Sequence, residues 1–102
     1  MYKFVLTEIV ARGKEVEDKA WRKRQAERLQ ELGAAIPKVY AALGREAGRV
    51  FVEMGEVETW QEAERISAML GTDEVLQALE DERAGKGMVV EGSAELYILV
   101  DY

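Results

Sequence analysis

Apolar residues recur along this chain at two periods, two residues and about 3.6, and the switches between them mark out its elements. Residues 2 to 10 alternate as a strand, with Tyr2, Phe4 and Leu6 on one face and Val5, Thr7 and Ile9 on the other. Residues 49 to 57 repeat the pattern, Val50, Val52 and Met54 against Phe51, Glu53 and Gly55. Near the end, Ala94, Leu96, Ile98 and Val100 alternate with Glu95, Tyr97, Leu99 and Asp101 over residues 93 to 101. The first and last strands are therefore apolar on both faces, which is unusual for a sheet with one wet side.

Helical stretches fill the gaps. Residues 14 to 32 are rich in Glu, Lys, Arg, Gln, Ala and Leu, and Gly33 stands just past their end. Thr59 and Glu62 make a capping box ahead of Trp60, Ala63, Ile66, Ser67 and Leu70, and Gly71 is expected to close that helix. Thr72 is expected to cap a further short helix with Val75, Leu76 and Leu79 on its apolar side, broken by Gly85 and Gly87. Pro37 presets an extended path into a strand over residues 38 to 43, joined to the next by a hairpin loop at Gly44 to Gly48. The order is β-α-β-β-α-(α)-β, that of a ferredoxin-like α+β fold: an antiparallel sheet with its helices on one face. The uncovered face would then be too apolar for a small monomer, so a homodimer packed through the open sheet face is expected.

Composition narrows the chemistry. The 102 residues suit one domain and contain no cysteine, which removes disulfides, thiolate metal sites and cysteine nucleophiles. They also contain no His and no Asn, the former being the commonest general base and metal ligand, and no metal site or bound cofactor is expected. The net charge of −6 is unevenly spread: residues 1 to 49 hold 11 Lys/Arg against 7 Asp/Glu, and residues 50 to 102 hold 3 against 13. Nucleic acid is a poor partner for such a chain. No apolar run approaches the ~20 residues of a membrane span, and the start of the chain is too polar-flanked for a signal peptide, so a cytoplasmic protein without membrane partners is expected.

Candidate ligand-binding residues come from polar or aromatic groups at interior positions. On the first helix, Trp21, Gln25, Leu29 and Leu32 define a stripe beside Asp18 and Arg22, while Val16 and Ala20 fall on nearly the opposite side. Trp21, Arg22 and Gln25 thus either line a pocket between this helix and the sheet or snorkel to water. Glu53 either faces the interior as a general base or pairs with Arg45 or Arg49. Tyr40 and Tyr97 either hold a ligand or pack with their hydroxyls at a rim. The basic run Lys19 to Arg28 is spaced for i,i+4 pairs, Glu15 with Lys19, Asp18 with Arg22 and Lys23 with Glu27.

Gly48 and Arg49 opening a β-branched strand, the run Gly55 to Ala63, and the run Leu70 to Leu79 together resemble the dimeric α+β barrel superfamily, including its antibiotic-biosynthesis-monooxygenase-like and NIPSNAP-like groups. The resemblance implies a homodimer and a helix–sheet cleft that binds, or by cofactor-independent oxygenation or isomerisation transforms, a small aromatic or polyketide-like molecule. Gly55 stands where the group often has an aromatic residue. Haem-degrading relatives use His and Asn, which this sequence lacks. The alternative is a non-catalytic homodimeric assembly protein whose cleft is filled by its own side chains.

Overall fold

A computed structural model describes residues 1 to 44 and 48 to 102; the hairpin loop expected at Gly44 to Gly48 lies partly outside the described residues. The elements are β1 (Tyr2–Ile9), α1 (Glu15–Glu31), β2 (Lys38–Ala41), β3 (Arg49–Val57), α2 (Trp60–Thr72), α3 (Glu74–Gly85) and β4 (Glu95–Val100). The strands form one antiparallel sheet in the order β2-β3-β1-β4, so β1 and β3 lie in the middle and β2 and β4 at the edges.

Register divides the sheet into two faces. Glu8 opposes Val50 and Leu6 opposes Val52, and these even-numbered positions of β1 point at the helices together with Leu96, Ile98 and Val100 of β4. Val5, Thr7, Phe51, Tyr40, Tyr97 and Leu99 point the other way, where no helix lies. The core forms between α1, α3 and the segment after α3, from Trp21, Leu29, Leu76, Leu79 and Met88, with Leu32, Ala34 and Leu70 packed against it.

Three local expectations change. Gly71 does not end α2, which runs on through Thr72, and the Thr72 hydroxyl donates back to the Ala68 carbonyl at 2.9 Å. Asp73, not Thr72, caps α3: its backbone is extended and its carboxylate accepts from the Leu76 amide at 3.0 Å. Aspartate is favoured over threonine at this place because Arg28 of α1 reaches the same carboxylate with two nitrogens, at 2.6 and 3.0 Å. The outer strands β2 and β4 are also shorter than their sequence pattern, spanning Lys38–Ala41 and Glu95–Val100.

Candidate functional site

The helix–sheet layer has two different halves. In the first, Glu8 of β1, Asp18 and Arg22 of α1, and Arg83 of α3 meet in a buried cluster of two acids and two bases. Arg22 donates to Glu8 at 2.7 Å and to Asp18 at 2.6 Å; Arg83 donates to Glu8 and, at 3.1 Å, to Asp18. Burial alone would raise the Glu8 pKa, but hydrogen bonds from Arg83 and Arg22 outweigh it and hold the carboxyl below its usual range. The Arg83 guanidinium also lies over the Trp21 ring, 4.3 Å from its centre. Trp21, 1% exposed, donates its indole N–H to the Leu79 carbonyl at 2.7 Å.

The second half is open. Beneath α2 lies a cleft of about 340 Å³, walled by Ile66, Met69 and Leu70 of α2, Leu29 and Leu32 at the end of α1, the segment Gly33 to Pro37, and Phe4, Met54 to Val57 and Leu96 of the sheet. Only Ala63 of α2 is fully buried, and Ile66, Met69 and Leu70 overhang the cleft. The cause is a bulge in β3: the register with β1 shifts between Lys3 and Val5, and Gly55 takes φ +104°. A side chain there would be strained, and its Cβ would stand 3.3 Å from that of Ala35. Glycine at this position thus bends the strand and leaves the cleft floor free of a side chain. Of the charged and hydroxyl-bearing residues of the lining, Glu62, Arg65 and Ser67 belong to α2 and Glu56 to β3.

None of the six residues singled out from sequence lines this cleft. Trp21 and Arg22 do come together with the sheet, but inside the core and the ionic cluster; Gln25 is half-buried on α1. Glu53 is on the open face, paired with Lys3 at 3.3 Å. Tyr40 and Tyr97 are exposed on that same face, and the Tyr97 hydroxyl donates to Glu95 at 2.5 Å, which raises its pKa. Of the expected i,i+4 pairs on α1, only Asp18 with Arg22 forms among the described residues, and it is buried. The cleft residues were visible in sequence as the stripe Ala63, Ile66, Leu70 and as Gly55, but a helical stripe carries no mark distinguishing a packed face from one that overhangs a void.

Several solved structures are similar to this chain. An uncharacterised NIPSNAP domain protein from Burkholderia xenovorans superposes with a TM-score of 0.76 at 16% identity, over 100% of this chain and 95% of that one. The fold is that of the NIPSNAP and antibiotic-biosynthesis-monooxygenase structures. A protein from Agrobacterium tumefaciens superposes at 0.76 with 13% identity, covering 100% of this chain and 94% of that one. A candidate antibiotic biosynthesis monooxygenase from Deinococcus radiodurans does so at 0.67 with 12% identity, covering 100% and 93%. No protein-family model matches the chain, and no curated protein matches it by sequence. Among the described residues no helix is long and apolar enough to cross a membrane.

Proposed function

We propose that the protein binds a small, largely apolar molecule in the cleft beneath α2, and that it does so as a homodimer assembled through the open face of its sheet. The observation that carries the binding reading is the cleft itself: at about 340 Å³ it falls in the range of roughly 300–1,000 Å³ typical of small-molecule sites, and its walls are mostly aliphatic. A filled core, as an assembly protein would have, is not what supports α2. Binding is favoured over catalysis because, among the described residues, none of the polar side chains of the lining is hydrogen-bonded to another as a nucleophile is to its base. Aromatic and polyketide-like compounds are the first probes, by likeness of fold.

The dimer reading rests on Tyr40, Phe51, Tyr97 and Leu99, large apolar residues exposed together on the helix-free face. Lys3 and Glu53 pair beside them, so the patch contains its own neutralised charges. Tyr40, Glu53 and Tyr97 thereby become interface residues.

Sedimentation equilibrium at micromolar concentration should return about twice the chain mass of 11.5 kDa. Calorimetric titration with a panel of aromatic acids and polyketide-like compounds should show saturable binding that is lost in Ile66→Trp, which fills the cleft. Failure of the whole panel to bind would sink the binding reading, and a monomer would sink the dimer.

A further inference from the structure

The apolar surface of the cleft does not stop at its mouth. Leu96 forms part of the wall, and the period of β4 puts Ile98 and Val100 on the same side of the sheet, with Ile98 beside Phe4 and Val100 beside Tyr2. These three residues are 57%, 42% and 63% exposed, because the helices stop short of this edge strand. From Leu96 to Val100 the floor runs on for roughly 13 Å at ~3.3 Å per residue. No charged side chain of β4 interrupts it, since Glu95 belongs to the opposite face. Tyr2 and Trp60 close its far end in an edge-to-face pair with ring centres 5.6 Å apart.

Arg65 of α2 is the one cation among the described residues of the lining, which also holds Glu62 of α2 and Glu56 of β3. Arg65 has no ion-pair or hydrogen-bond partner among the described residues, whereas Arg22 and Arg83 of the other half are paired with acids. Ser67 also lines the cleft, two residues on, and Glu62 lies one turn earlier. A long uncharged floor joined to a compact rim with one unpaired cation describes the two ends of an amphiphile. A compact aromatic of the cleft's own volume would leave Ile98 and Val100 bare.

We infer that the cleft takes an elongated amphiphile, an aliphatic chain laid over Phe4, Leu96 and Ile98 with a carboxylate held at Arg65. This rests on the binding reading above and names its ligand class. The two glutamates of the lining, Glu62 and Glu56, oppose an anion, but both are exposed and their carboxylates can turn into water, where the repulsion is weak.

The test is a calorimetric series of linear alkanoates from six to fourteen carbons, kept below micelle-forming concentrations, with the matching n-alkanols and n-alkylamines and with 2-naphthoate as the compact aromatic. Affinity should rise about fourfold per added methylene, as burial of apolar surface requires, and level off once the floor is covered. Ile98→Thr should bring that plateau to shorter chains. Arg65→Ala should reduce each alkanoate to the affinity of its n-alkanol. If naphthoate binds while alkanoates show no gain with length, the chain inference falls and the binding reading stands. Amines binding more tightly than carboxylates would overturn the assignment of Arg65. No binding by any of these compounds would overturn both.

Discussion

At the scale of single residues, Glu8 is the position where the sequence breaks its own pattern, a glutamate in the helix-facing series of β1 that is 2% exposed. Its two arginines make the burial tolerable. Removing one partner of such a cluster leaves an uncompensated charge, so Glu8→Gln should cost about 3–5 kcal/mol at neutral pH, read from the urea midpoint. The pH dependence follows from the direction of the shift. Because the folded pKa of Glu8 lies below that of the unfolded chain, its stabilisation is fully present above the ordinary glutamate value and is lost as pH falls through the folded one. Asp73 behaves alike: the Arg28 hydrogen bonds, then the Leu76 amide, push it down to about 2. Stability should therefore decline as pH falls below the ordinary carboxylate range, and the gap between wild type and Glu8→Gln should narrow as pH falls below the ordinary glutamate value.

Among elements, the junction of α2 and α3 depends on one side chain. Asp73 caps α3 and anchors the end of α1 through Arg28, so α1 and α3 share a single carboxylate, and its backbone N–H closes α2 on the Met69 carbonyl. Asp73→Ala should lower the melting temperature by about 4–8 °C, a typical cap loss in a domain of this size, whereas Thr72→Ala should leave it nearly unchanged. Equal losses from the two would return the cap to Thr72. The β3 bulge works at this scale too: a regular strand in place of the bend at Gly55 would bring a side chain under α2 and close the cleft from below.

For the whole molecule, the two sides of β4 are assigned different work. Leu99 faces the helix-free side and Ile98 the cleft floor, adjacent in sequence and opposite in space. Leu99→Asp should give a monomer in sedimentation, because a charge enters the centre of the proposed interface, while Ile98→Asp should remain dimeric and lose affinity for apolar ligands. A dimer in both variants would move the interface away from the open face.

The order of elements, their type and the division of each strand into two faces follow from the sequence alone, because strand and helix periods are local and Thr59, Pro37 and Gly33 punctuate them. Even the polar face of α1 was legible, since Asp18 and Arg22 beside Trp21 could not all lie in a dry core without partners. What covers each face was not, because partners come from distant parts of the chain. Only the packed structure brings Glu8 and Arg83 to Asp18 and Arg22, which turns a stripe suggestive of a pocket into a closed ionic cluster. And only the packed structure shows that α2, amphipathic like any core helix, is held off the sheet by a bulge, so that the void lies under it and not under α1. Periodicity reports which residues avoid water; the distance to what they face is set by tertiary geometry.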